Sequence, residues 1–500
     1  MNVNETLALL KTAQSAGNPD ILAKNFVQPS TATTGLQAYD LEAPSKKLIP
    51  IMTPIRNMLP RVGGGFAIQA NWKAVTGINT SSVRAGISEG KRGATISHSI
   101  SENLAAYRAI GLEKNVTFEA DYASRGFEDV KAQAVLQTLQ ATMIAEEIIL
   151  LGGNTSLALG TTPTPTVSTA TTGGSIGAAT YNVICVALGL QAYWDVAGIN
   201  NGSTGQLFDP TSATVPGSIT RTNADGTSDT FGGGSAQKST AASQVTTGST
   251  STISASVTAV RGAVAYAWFL GTSGAEKLAA LTTINSVVLT SVPSTGQLAS
   301  SLAASDNSTS SLEFDGLMTL ASKSSLNSYY NALATGTAGT GTTLTGAGGR
   351  VVEIDNALAS FYSSYRLQPT HLFVNFKQFQ KITNVVLSQT NPAVYFTSDV
   401  ASDAAFSAGR NVGTYLSPID GSVMSIVVHP NMAPGTMMFY TASVPSYVDG
   451  ISDIARVRTR QDYYQIEWPL RTRKYEYGVY ADEVLQHFFP PSMGLLTNVA

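Results

Sequence analysis

AEEIILLGGNTSLALGTTPTPTVSTATTGGS, residues 145–175, decides how this chain is divided. Upstream of it, Ala132, Val135, Leu136, Leu139, Met143 and Ile144 form an apolar stripe at helical spacing. The stripe predicts a long helix over about Ala120–Leu151. Gly152-Gly153 is a natural stop, because glycine accepts the left-handed backbone that closes helices. Glu146 and Glu147 oppose the dipole at that end, so basic partners are expected from elsewhere in the fold. As sequence neighbours they point to different sides of a helix, the wrong arrangement for an acid/base pair.

Downstream of the glycines, charge almost vanishes: only nine charged residues lie between Asn154 and Ser305. A Ser/Thr/Gly-rich tract of this kind is often disordered. The apolar runs YNVICVALGLQAYWDVA (181–197), TISASVTAV (252–260), GAVAYAWFLG (262–271) and TTINSVVLTSV (282–292) argue otherwise. Short β-branched and aromatic runs between Gly-rich turns fit an all-β sandwich, with Trp268 as its expected core aromatic. The sandwich is expected over 155–310, inserted into a host that resumes at LEFDGLMTL (312–320).

The host has structure on both sides of the insert. Residues 1–61 read as an extended arm with a short helix around Glu5–Gln14, punctuated by Pro29, Pro44, Pro50 and Pro54. After Gly63-Gly64-Gly65, Phe66, Ile68, Ala70, Trp72 and Ala74 alternate with Ala67, Gln69, Asn71 and Lys73. Ile96, His98 and Ile100 repeat that period of two beyond the polar tip AGISEGKRGA (85–94), which predicts a long hairpin within 62–117. Isolated hairpins are marginal in water, so this one must lie on another surface. Beyond the insert, Ile354, Ala357, Leu358, Phe361 and Tyr365 mark an amphipathic helix, followed by a strand HLFVN (371–375) and a helix FKQFQKITNVV (376–386). Short strands with Pro/Gly turns follow after about residue 410. The host is α+β.

Composition excludes several function classes. Of the 500 residues, 43% are hydrophobic and 13% charged, with net charge −3, so no phosphate-gripping basic chain is indicated. One cysteine, Cys185, excludes a disulfide framework and any CxxC motif. The amino end MNVNETLALLKTAQ lacks a cationic start and an apolar run, so no secretory leader is expected. No apolar run approaches the length of a membrane span. GGSIG (173–177) matches G-x-S-x-G, but STATT before it is no apolar strand and no helix is expected after it. His98, His371, His429 and His487 stand in unrelated settings. Neither an active site, a metal site nor a cofactor is expected. Arg456, Arg458 and Arg460 share one face of a strand, with Arg471, Arg473 and Lys474 close behind. Like charges side by side need partners, and carboxylates of this chain or a neighbour are favoured over DNA phosphates.

Taken in order, these elements resemble the major capsid proteins of tailed bacteriophages, with the Hong Kong ninety-seven-type fold. The resemblance rests on the hairpin, the helix ending AEEIILLGGN (145–154), RLQPTHLFVNFKQFQKI (366–382), GTYLSPIDGSVMSIVVHPNMAPGTMMFY (413–440) and RKYEYGVYADEVLQHFFPPSMGLLTNV (473–499). It implies an N-terminal arm (1–61), an E-loop hairpin (62–117), a spine helix (118–154) and an insert (155–310). It further implies a peripheral part (311–410), an axial domain (411–472) and a C-terminal return (473–500). The insert resembles the immunoglobulin-like or fibronectin type III domains that decorate some phage capsids. The implied function is an icosahedral head shell of hexamers and pentamers enclosing double-stranded DNA, assembled in the host cytoplasm without a membrane. The implied partners are further copies of the chain, a separate scaffolding protein, a portal and a decoration protein. Some relatives cross-link an E-loop lysine to an asparagine of another subunit; Lys91 is the only lysine at this tip, and no asparagine is matched to it. The rival readings are a bacterial nanocompartment shell protein and a cell-surface adhesin.

Overall fold

A computed structural model describes residues 51–78, 86–93, 95, 98–125, 128–198, 208–388, 412–442 and 453–500. The arm over 1–50, with the helix expected around Glu5–Gln14, lies outside the described residues, as does 79–85 of the hairpin tip. The chain is α+β and divides into two compact units, one of Met1–Pro50 with Val116–Gln133 and one of Ile51–Asn115 with Ala134–Ala500.

In the first unit, the helix Phe118–Ala123 opens on Thr117, whose hydroxyl accepts the amide of Ala120. Asp129 then accepts the amides of Lys131 and Ala132 at 3.1 Å, the pattern of an N-cap. The long helix therefore starts at Val130 rather than near Ala120, and runs to Gly152. By length and composition it is apolar enough to cross a membrane, which the sequence reading did not anticipate. Glu146 and Glu147 of this helix are nevertheless buried and bonded within the chain.

The glycines end the helix where the insert begins. The Gly153 amide still bonds the Ile149 carbonyl at 2.8 Å, and Gly316 and Ser310 return to bond the carbonyls of Gly153 and Asn154 at 2.8 and 2.7 Å. Asp315 accepts the amide of Thr155 at 2.9 Å. The insert thus leaves and returns along one paired seam.

Within the insert, a sheet ordered Ser286–Leu289, Thr252–Ser256, Thr166–Ala170 faces a sheet ordered Lys277–Thr282, Ala265–Gly271, Thr180–Leu188, Ala242–Val245. Val183, Cys185, Tyr266, Trp268 and Leu270 from one meet Ile253, Ala255, Val287 and Leu289 from the other. The expectation of an all-β insert needs correction. The run 181–197 is a strand to Leu188, then a helix Leu190–Ala197 closed by Gly198 in the left-handed conformation (φ 73°). Leu190 and Trp194 of that helix join a core that includes Ile184, Val186, Ala267 and Phe269 from the sheet's other face. The same core continues into Leu150, Leu151, Phe314 and Met318 of the host. Asn285 adds a second tie, its amide donating to Asn498 Oδ1 at 2.9 Å.

The host has two sheets. One is ordered Arg61–Val62, Ala455–Glu467, Lys474–His487, Arg108–Thr117. The other is ordered Tyr329–Ala332, Met493–Thr497, Met437–Tyr440, His371–Val374, Val423–Val428, Thr414–Leu416. Its Leu372, Val374, Met437 and Phe439 pack with Ile354, Leu358 and Phe361 of the helix Val352–Tyr365 and Ile382 of the helix Phe376–Leu387. Phe373, Met438 and Tyr440, one residue out of phase, enter the core shared with the insert. One sheet therefore draws strands from both 311–410 and 411–472, and the expected division between a peripheral and an axial part there does not follow the strands.

Candidate assembly surface and its anchor

The hairpin strands Gln69–Ile78 and His98–Ala106 pair antiparallel, with a bulge between Val75 and Gly77. Period-two alternation sends Ala70, Ala74 and Thr76 inward to burial, with Trp72 half-buried among them. Trp72 Nε1 donates to the His487 carbonyl at 2.7 Å, and the Val75 amide donates to the Phe488 carbonyl at 2.9 Å. One face of the hairpin is thus fastened to its own chain. Much apolar surface is left open: Phe66 and Ile68 at its foot are 94% and 82% exposed, and Leu104 and Ile100 on the outward face 70% and 56%. Scattered apolar residues are normal on surfaces, but here Phe66 and Ile68 ahead of the first strand and Ile100 and Leu104 on the second leave four large apolar side chains open on one thin element.

The foot of the hairpin is held by the two glutamates of the long helix. Glu147 accepts the amides of Ile55 and Arg56 at 2.9 and 2.7 Å, so its carboxylate caps the short helix Pro54–Met58, which has no side-chain cap of its own. His429 Nε2 also bonds Glu147, at 2.7 Å, while its Nδ1 accepts the Asn431 amide. That acceptor role fixes His429 as the neutral Nε2–H tautomer. Glu146 receives Arg56 at 2.8 Å, together with Arg61 and the Tyr463 hydroxyl. Arg61 also reaches Asp462 at 2.6 Å and Glu483 at 2.9 Å. Burial opposes the charge of Arg61, but these carboxylates more than offset it and raise its pKa. Burial, and then the charge of Glu146, push Glu483 up to about 8. Glu146 thus meets two arginine side chains, whereas Glu147 is met by two backbone amides and His429. Arg56, Arg61, Tyr463 and Glu483 were not singled out from sequence; the one available signal was two arginines in a segment otherwise read as arm.

The arginine ladder is paired more modestly. Arg460 meets Asp482 at 2.7 Å, Arg458 donates to the Gly64 carbonyl at 3.0 Å, and Arg456 donates to Gln486 at 3.1 Å while lying over the Phe488 ring. Arg460 thus has a carboxylate partner within the chain, and the charge of Asp453 also favours Arg456. Burial and then Arg458 lower the pKa of Arg456.

The remaining candidates are dispersed. Lys91 is exposed at the hairpin tip. Trp268 is fully buried in the insert core, with Nε1 donating to Thr282 at 2.8 Å. The Ser175 amide donates to the Thr290 carbonyl at 2.7 Å, and its hydroxyl donates to the same oxygen, a tie between distant segments rather than a nucleophile's setting. His487 is buried, which pushes it down to about 3. Among the described residues no group of three His, Cys, Asp or Glu could hold a metal.

The sequence matches no family model and no curated protein. Among solved structures, the chain is similar to the capsid of a native GTA particle, at 7% identity and a TM-score of 0.40, covering 95% of this chain and 100% of that one. It is also similar to a structure of Mycobacterium phage Bobi, at 8% identity and a TM-score of 0.39, covering 93% and 96%. A third likeness is to the holo-SrpI encapsulin complex from Synechococcus elongatus, at 6% identity and a TM-score of 0.38, covering 91% and 92%.

Proposed function

We propose that this chain is a structural shell protein of a bacteriophage head, built to pack against further copies of itself. The observation that carries the reading is the hairpin. Its inner face is hydrogen-bonded to the chain's own 487–488, while Phe66, Ile68, Ile100 and Leu104 stay open to solvent. An element fixed at its base and apolar on its free surface fits a neighbouring subunit. Repeated around a ring, weak contacts of this kind reinforce one another through multivalency. The order of elements is that of the capsid family the sequence resembles.

On this reading the copies form hexamers and pentamers around double-stranded DNA in a virion, and the chain is not an enzyme. A separate scaffolding protein, a portal and a decoration protein complete the assembly. The insert, low in charge and rich in Ser and Thr, is displayed outside the shell as an immunoglobulin-like module. Electron microscopy of the full-length chain beside a variant with 79–94 replaced by a short Gly/Ser turn tests the proposal. Closed shells from the first and dispersed, folded subunits from the second are expected; intact shells from the trimmed chain would refute the role given to the hairpin.

A further inference from the structure

Three carboxylates converge on two guanidinium groups where the hairpin's foot meets the body. The helix Pro54–Met58 contributes Arg56, the strand Arg61–Val62 contributes Arg61, and the long helix contributes Glu146. Strand Ala455–Glu467 brings Asp462 and Tyr463, and strand Lys474–His487 brings Glu483. Other charged groups nearby are already engaged: Asp482 with Arg460, Arg458 with the Gly64 carbonyl, and Glu147 with His429 and two amides. Glu146 and Glu483 are closed to solvent, and Arg56 and Arg61 nearly so, while Asp462 sits at the rim.

Asp462 keeps its charge in water at the rim, so the conflict lies between Glu146 and Glu483, two carboxyl groups closed to solvent that both turn to Arg61. Ionising both in one buried site is costly, and one proton relieves it. Glu483 Oε1 is buried with no hydrogen-bond partner, so ionising that carboxyl group would leave a carboxylate oxygen without a donor, which favours keeping the proton there.

We propose that this cluster is a pH-sensitive latch: with a proton on Glu483 it pins Arg56 and Arg61, and so the foot of the hairpin, to the long helix and the sheet; transfer of that proton to water loosens the foot. Every contact in the cluster lies within one chain, so the latch stands whether or not the chain builds shells. Opening exposes Glu483 to solvent, where its carboxyl ionises at ordinary acidic pH, so rising pH favours the open form. The effect ends once Glu483 is ionised in the closed form as well.

The test is hydrogen exchange in the full-length chain, followed in peptides covering 54–62 from pH 6 to 9 and corrected for the intrinsic pH dependence of amide exchange. Protection there is expected to fall by up to about tenfold per pH unit and then to level off near the alkaline end. Glu483→Gln keeps the shape of the side chain without the proton, and protection should stay constant across the range. Asp462→Asn, at the rim, removes one anion without disturbing the buried core. It lets Glu483 ionise sooner, so the fall should level off at lower pH. Wild-type protection that does not change with pH, or the same decline in wild type and both variants, would overturn the latch.

Discussion

The amide of Gly316 donates to the carbonyl of Gly153 at 2.8 Å, where the outgoing and returning chains of the insert meet backbone to backbone. A Cβ on Gly153 would lie 2.4 Å from the Phe314 carbonyl oxygen, and one on Gly316 2.5 Å from that of Ile149. Both obstacles are backbone and cannot rotate aside. Gly153→Ala and Gly316→Ala should each cost about 1–3 kcal/mol, the range for overpacking a filled site. Gly86→Ala is the control, since nothing lies within 4 Å of its added carbon. Its effect should stay within about 0.5 kcal/mol. Thermal melting of the three variants checks this, and equal melting would mean that the seam has slack.

Trp268 anchors a core separate from the one the insert shares with the host. Trp268→Ala should cost about 3–5 kcal/mol, through lost burial and the cavity left behind. Trp268→Phe keeps a six-membered ring and loses the pyrrole part with its bond to Thr282, whose hydroxyl still donates to the Ile284 carbonyl. The conservative change should therefore cost clearly less. Urea denaturation of the full chain distinguishes the two, and similar midpoints would remove Trp268 from the core's centre.

Local patterns were legible in the sequence and distant pairings were not. The helix Val352–Tyr365, the strand His371–Val374 and the helix Phe376–Leu387 stand where periodicity puts them, because each pattern is complete within a dozen residues. The run 181–197 was misread as strand throughout. Its strand is buried on both faces and so loses the alternation that would have shown where it gives way to the helix after Gly189. The site was half visible. Glu146 and Glu147 announced themselves by sitting against a dipole, but Arg56 and Arg61 find them across 85 to 90 residues, and Asp462 across 401 from Arg61. No spacing rule reaches that far, since the register is set by the tertiary fold. Sequence order likewise hid that strands of 329–332, 371–374 and 493–497 share one sheet.

The partly buried Glu313 and the buried Glu483 and His487 tie stability to pH. Burial pushes Glu313 up to about 7, and burial with Glu146 raises Glu483 further, whereas burial pushes His487 down to about 3. A raised carboxyl group gives stability that is complete below its unfolded value, about 4.3, and is lost as pH climbs through the folded one. A lowered histidine gives stability that is complete above about 6.5 and is lost as pH falls toward its folded value. Two carboxyl groups outweigh one histidine above about pH 4.3, so these groups place the stability maximum near that pH. Glu313→Gln removes one alkaline loss and should make the chain more stable than wild type at pH 8, by about 1–2 kcal/mol, with little difference at pH 4.5. Melting curves across pH 4–9 check this; a variant no more stable than wild type at pH 8 would count against a desolvated Glu313.

The hairpin's open residues should matter to neighbours and not to the subunit. Ile68 and Leu104 are 82% and 70% exposed, so making them charged removes almost no burial within the chain. The inner contacts of Trp72, Ala74 and Thr76 are untouched, and with them the bonds to 487–488. Surface changes of this kind move folding stability by less than about 0.5 kcal/mol. Between copies the consequence is different, because a carboxylate carried into an apolar contact must be desolvated without a partner. Many such contacts act together in a shell, so a modest loss at each is multiplied around every ring. The double variant Ile68→Glu, Leu104→Glu should therefore melt like wild type and remain as dispersed subunits under conditions in which wild type assembles. Light scattering and electron microscopy on the two proteins, beside their melting curves, separate the effects. A variant that still closes shells would show that Ile68 and Leu104 are not at the contact surface, and one that no longer melts cooperatively would show that they belong to the subunit's own core.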